Sequence, residues 1–135
     1  MYATVTDMIQ RFGEKEMIQR SDRQMGRVLD AAVINQALAD ASAEIDSYLA
    51  TRYALPLAER SDVLARICCD IARYQLWAGD TVEAVRTRYE DAVRLLKDIG
   101  RGVAALGIAP AHQPAPIASG VSAWSAPRQF GVGRP

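Results

Sequence analysis

Between Asp30 and Leu49 the chain reads DAAVINQALADASAEIDSYL, and this stretch decides the fold. Its apolar positions Ile34, Leu38, Ala41, Ile45 and Tyr48 are spaced 4, 3, 4 and 3, which places them on one stripe of a helix. Asp30 supplies an N-cap whose carboxylate can accept the first free amides. The helix is expected to end near Arg52, because Pro56 pushes Leu55 out of helical backbone.

Two further helices follow by the same logic. Ser61 caps a second one with Leu64, Ile67, Ile71 and Tyr74 on its stripe, and Gly79 breaks it. Asp80 with Glu83 has capping-box spacing and is read as the start of a third. That helix carries Val82, Val85, Tyr89, Ala92, Leu96 and Ile99, and Gly100 ends it. Its outer face is expected to pair Arg86 with Glu90 and Glu90 with Arg94. Upstream, Thr6 is read as the N-cap of a short helix through Asp7, Met8, Ile9 and Phe12, stopped by Gly13. Residues 14–19 offer a second short turn and 20–29 a polar loop. The fold class is therefore all-α: a small antiparallel bundle of three longer helices, with short N-terminal helices packed on one end.

Composition sets the outer bounds. The 135 residues are 50% hydrophobic but only 7% aromatic, an Ala-rich and aliphatic make-up that suits close-packed helices. Basic and acidic residues number 16 each, so no net charge advertises nucleic acid or membrane as a partner. No apolar run reaches the roughly 18–20 residues of a membrane span, and no signal-peptide pattern opens the sequence. Cys68 and Cys69 are adjacent, too strained for an ordinary disulfide and without zinc or redox spacing, which points to a reduced, cytoplasmic setting.

The zero net charge conceals a division. All 16 acidic residues precede position 99, where they face 13 basic ones, whereas residues 101–135 hold Arg101, Arg128 and Arg134 and no acid. Five of six prolines and five of nine glycines fall in the same last 35 residues. The chain divides into a helical domain, 1–100, and an extended Pro/Gly-rich C-terminal tail, 101–135. The tail carries Ile117, Val121, Trp124 and Phe130, large apolar groups foreign to a solvating linker. It is read as a docking segment for a partner or neighbouring subunit, with docking on its own body as the alternative.

A catalytic reading finds little to use. His112 lies in the Pro-rich tail, where nothing orients it as a general base. Asp40 with Glu44, and Glu90 with Asp91, fall off the apolar stripes and read as a solvated acidic face. No His, Cys, Asp or Glu cluster has metal-ligand spacing. Cys68 sits beside the buried stripe as a small hydrophobe, and Cys69 reads as a turn-edge position without a group to activate it. Gly100-Arg101-Gly102 and Gly131-Val132-Gly133 lack the strand, helix and Lys of a phosphate loop. A helix-turn-helix across Asp62–Lys97 would need a basic recognition face, but the third helix mixes Glu83, Arg86, Arg88, Glu90, Asp91 and Arg94. No catalytic residue, cofactor or metal is expected, and the chain is not read as an enzyme. The connection Tyr53-Ala54-Leu55-Pro56-Leu57 is unusually apolar. Capping the bundle end explains it most simply, and a contact loop to a neighbour is the alternative.

Four stretches carry a family resemblance. They are Tyr2-Ala3-Thr4-Val5-Thr6-Asp7-Met8-Ile9-Gln10-Arg11-Phe12-Gly13, then Ala39-Asp40-Ala41-Ser42-Ala43-Glu44-Ile45-Asp46-Ser47-Tyr48-Leu49, then Arg52-Tyr53-Ala54-Leu55-Pro56-Leu57, then Cys69-Asp70-Ile71-Ala72-Arg73-Tyr74. In this order and spacing, over residues 2–108, the chain resembles a Mu-like prophage protein family that is similar to the helical head–tail connector (adaptor or head-completion) proteins of tailed phages. The resemblance implies a structural virion protein of the neck, made in the bacterial host cytoplasm. It further implies a ring of about twelve copies beneath the portal. The implied partners are the portal protein, neighbouring copies, the next tail or neck protein, and genomic DNA passing without sequence-specific contact; no membrane is implied. On this reading Tyr53, Leu55, Pro56 and Leu57 form an interface, together with Ile117 and Val121. Trp124 and Phe130 would anchor the tail, and Arg128 would meet a carboxylate. A small cytoplasmic phage regulator or DNA-packaging accessory protein, binding DNA or a partner protein, is the alternative function.

Overall fold

The structure, a computed structural model, describes residues 1–107. Five helices follow in order: α1 Val5–Phe12, α2 Glu14–Ser21, α3 Ala31–Leu49, α4 Asp62–Trp77 and α5 Glu83–Gly100. The described residues contain no strand, and the all-α expectation holds. Interface and catalytic candidates at 112–130 lie outside the described residues.

Three of the five helices, α1, α3 and α4, start where a side chain receives free amides. Asp30 Oδ1 accepts from the amides of Ala32 at 3.1 Å and Val33 at 3.4 Å. Ser61 Oγ accepts from Leu64 at 3.2 Å. The N-cap of α1 is Thr4, not Thr6: Asp7 stands three residues after Thr4, and a reciprocal capping box closes at 2.9 and 3.2 Å. α2 follows Gly13 with no side-chain cap, and in α5 the expected Asp80 cap is absent. The latter helix begins at Glu83 behind Val82, with no side-chain bond. Asp80 instead accepts from Arg20 at 3.2 Å, and Val82, expected on the buried stripe, is exposed.

Several boundaries also shift. α2 continues to Ser21, so the loop before α3 opens at Asp22, and α3 stops at Leu49. α4 ends as expected, through Ala78 in left-handed backbone followed by Gly79 at φ +95°. Gly100 belongs to the last turn of α5 rather than lying beyond it. A Cβ there would stand 2.7 Å from the Tyr48 carbonyl oxygen, so glycine is required by the close approach of α5 to α3.

Helix α4 is central, touching α1, α2, α3 and α5; α1 and α2 rest on α3 and α4 and do not reach α5. Ile34, Leu38, Ile45 and Leu49 of α3 meet Leu64, Ile67 and Ile71 of α4 and Leu96 and Ile99 of α5 in the buried core, with Met8 and Met17 contributed by α1 and α2. Each such side chain contributes about 1.5–3 kcal/mol on burial. Because neighbours cover α4 from several sides, Cys69 is fully buried beside Cys68 and is not at a turn edge. Tyr48 and Tyr74 are half-buried, and Tyr74 stacks on Tyr89 with ring centroids 4.0 Å apart. On the outer face of α5, Arg94 bonds Asp91 at 2.8 Å in place of the expected pairs with Glu90.

Candidate functional site

A groove of about 590 Å³ lies between residues 1–4 and the connection 55–61. One wall is fixed by α3. Ser42 and Asp46 are four residues apart and so share a face of that helix. Ser42 Oγ accepts the Tyr2 amide at 3.3 Å, and Asp46 Oδ1 accepts a short hydrogen bond from the Tyr2 hydroxyl. Burial and the Asp46 carboxylate push the Tyr2 phenol far above its ordinary range. Ala3 is buried next to this latch, and Ser42 Oγ also sits 3.6 Å from Cys68 Sγ.

The other wall holds three of the residues the sequence singled out. Leu55 and Leu57 are half-buried, and Pro56, after a cis peptide bond, is exposed. All three line the groove, whereas Tyr53 is buried and does not. Asp46 and Glu59 line the rim together with the Met1 ammonium and Arg60, and Arg60 lies 3.6 Å from Asp7 and 3.7 Å from Asp62. Asp7 is held below the usual carboxylate range by the Thr4 amide and hydroxyl, then by Arg60.

A second polar cluster secures α1 and α2 to the body. Arg73 donates to both oxygens of Glu16, Nε at 2.7 Å and Nη2 at 3.0 Å, and Trp77 Nε1 donates to the same carboxylate at 3.2 Å. The Arg73 guanidinium also lies over the Phe12 ring, 4.4 Å from its centroid. Burial alone would raise Glu16, but these hydrogen bonds outweigh it and hold the carboxylate below its ordinary range.

The groups with chemical potential are tied down structurally. Burial pushes the Cys68 thiol up and the Cys69 thiol up to about 12, away from thiolate chemistry at neutral pH. Asp70, nearly inaccessible, is raised by burial against the opposing Arg88, whose Nε lies 3.2 Å away. That ion pair consumes one of the cations a DNA-reading α5 would have to present. Asp40, Glu90 and Asp91 are exposed as expected, while Glu44 is half-buried. No group of three or more His, Cys, Asp or Glu side chains among the described residues could hold a metal ion.

The sequence reading overlooked Tyr2, Ser42 and Asp46 as groove residues. The α3 pair had a visible signal in its spacing; Tyr2, 44 residues from Asp46, had none.

Comparison with known proteins finds relatives of the chain. The family model described as "Bacteriophage Mu, Gp36" matches residues 2–123. The Mu-like prophage FluMu protein gp36 of Haemophilus influenzae is 40% identical over 108 residues, which cover 80% of this chain and 77% of that protein. Gene product J of Escherichia phage Mu is 40% identical over 103 residues, covering 75% and 72%.

Proposed function

Because the chain belongs to the bacteriophage Mu Gp36 family, we propose that it is a structural virion protein, a head–tail connector subunit that forms a ring under the portal. The observation that carries this reading is the family match from residue 2 to 123, which spans all five helices and joins a phage origin to a compact helical bundle. The resemblance to connector proteins over residues 2–108 supports the role within the particle.

The physical properties support assembly without catalysis. The bundle is a rigid wedge, its Ala-rich helices closely apposed, as Gly100 against Tyr48 illustrates. The buried thiols and ion pairs stabilise the fold and present no reactive group to solvent. The acid excess of the body disfavours tight phosphate binding, so DNA would slide through the ring and not adhere. The groove between residues 1–4 and 55–61 is a contact surface for protein, and the tail beyond residue 110 docks on the portal or on a neighbour. No described helix is long and apolar enough to cross a membrane, and the chain would be made in the host cytoplasm and end in the neck of the virion.

The test is genetic depletion in a lysogen induced to make phage. Loss of this chain should leave DNA-packaging heads and complete tails unjoined in the lysate. Joined, infectious particles in its absence would remove the connector role, and a defect confined to transcription or DNA packaging would favour the regulator or packaging accessory.

A further inference from the structure

We propose that the groove beside residues 55–61 receives the loop Asp22–Val28 of a second copy of this chain, so that copies join head to tail. The inference deepens the connector reading and rests on it for its biological setting.

The loop presents its apolar side chains outwards: Met25 is 67% exposed and Val28 69%. Exposure of this kind in a floppy loop would be unremarked, but this loop is held in one shape. Asp22 Oδ1 accepts the amides of Gln24 at 3.2 Å and Met25 at 3.3 Å, and Oδ2 those of Arg27 and Val28 at 3.1 Å each. The Gly26 amide donates to the Asp22 carbonyl at 3.1 Å, with Gly26 at φ +66°. Ordering costs that docking normally incurs are thus already met in the free chain. The Asp22 carboxylate is turned towards the loop's own amides, and two cations outnumber it. Arg23 and Arg27 are exposed and have no ion-pair partner among the described residues.

The groove has the complementary character. Leu55, Leu57 and Ala3 give it apolar walls, and around them four carboxylates, Asp46 and Glu59 on the rim with Asp7 and Asp62 beside Arg60, outnumber the two cations Arg60 and the Met1 ammonium. An apolar tip between two arginines therefore matches an apolar recess between carboxylates. A copy cannot fill its own groove. The loop leads into Asp30 at the start of α3, and the groove is built on Ser42 and Asp46, about 18 and 24 Å along the axis from Asp30. A patch and its matching recess held apart on one chain give a heterologous contact, the kind that closes rings.

The test is a cysteine trap in the full chain, Met25→Cys with Ala58→Cys, both at exposed positions while Cys68 and Cys69 stay buried. Mild oxidation at high protein concentration should give a ladder of covalent oligomers, whereas either single variant stops at a dimer. Adding Arg27→Glu or Glu59→Arg should cut the ladder about tenfold, and adding both should restore it. Circular dichroism confirms that each variant is folded, and Val28→Cys replaces Met25→Cys if the first pair is not. Absence of a ladder, or a ladder indifferent to both charge reversals, overturns the proposal. A ladder from a chain missing from tailed particles would instead spare the interface and remove the connector reading; a chain present in particles without a ladder would remove the interface alone.

Discussion

Arg73 and Glu16, 57 residues apart, form a two-bonded ion pair at 2.7 and 3.0 Å that fastens α2 to α4. Both side chains are about four-fifths buried, so solvent screens the pair less than a surface bridge. The same guanidinium covers Phe12 of α1, and one side chain thereby holds both N-terminal helices to the body. Arg73→Lys keeps the charge but loses the fork and the planar contact. It should cost about 1–3 kcal/mol in urea unfolding. A change smaller than measurement error would mean that the Arg73 fork and its planar contact add nothing to the hold on α1 and α2.

The acid limb of the stability curve should report Glu16. Its folded pKa lies below the unfolded value, so its contribution is complete above the unfolded pKa and is lost as pH falls through the folded one. Asp70 acts in the opposite sense. Its folded pKa is raised, so protonation there favours the folded state as pH falls. Glu16→Gln should flatten the decline of stability below about pH 4.5, and Asp70→Asn should steepen it. Thermal unfolding measured from pH 7 to pH 3 distinguishes the two; identical profiles for both variants would contradict these assignments.

Gly100→Ala sets two effects against each other. Helix propensity favours alanine by about 1 kcal/mol. The new Cβ, however, meets the Tyr48 carbonyl oxygen at 2.7 Å, and backbone cannot move aside cheaply. Overpacking of this sort costs about 1–3 kcal/mol, so the variant should be destabilised. A rise in melting temperature would show that α5 does not press on α3 at this point.

Tyr2→Phe removes the hydroxyl that bonds Asp46 while leaving the ring and the Tyr2 amide bond to Ser42. The loss of a hydrogen bond to a charged acceptor should cost about 1–2 kcal/mol, and the amide of Tyr2 should exchange faster with solvent. Unchanged exchange would mean that the first four residues are secured by Ala3 and the capping box, not by this latch.

Deletion of residues 110–135 should leave the far-ultraviolet helical signal per molecule of body intact while abolishing incorporation into particles. The body has its own core, built from side chains of α1 to α5. Normal incorporation of the truncated chain would remove the tail from the docking account.

The parts of the fold that were legible in sequence are those set by local chemistry. Ile34, Leu38, Ala41 and Ile45 are one stripe and all are buried; Asp30 and Ser61 cap as their positions demand. The misreadings arise where two local signals compete or where the partner is distant. Thr4 and Thr6 both precede Asp7 and Met8, and only the three-residue spacing to Asp7 separates them. Asp80 had the spacing of a cap, but Arg20, 60 residues away, takes its carboxylate. Cys69 was misjudged because the stripe of α4 was drawn for a helix covered on one side, whereas α1, α3 and α5 cover it from several. The groove was half legible. Leu55, Pro56 and Leu57 stood out as apolar residues in a connection, but the Tyr2 latch that forms the opposite wall depends on a contact across 44 residues, which no spacing encodes.

The most direct measurement is the number of copies of this chain per portal in purified tailed particles, by quantitative mass spectrometry. The connector account predicts a fixed count near one copy per portal subunit, unchanged after stringent purification of the particles. Absence from the particles, or a variable trace well below the portal count, would contradict it.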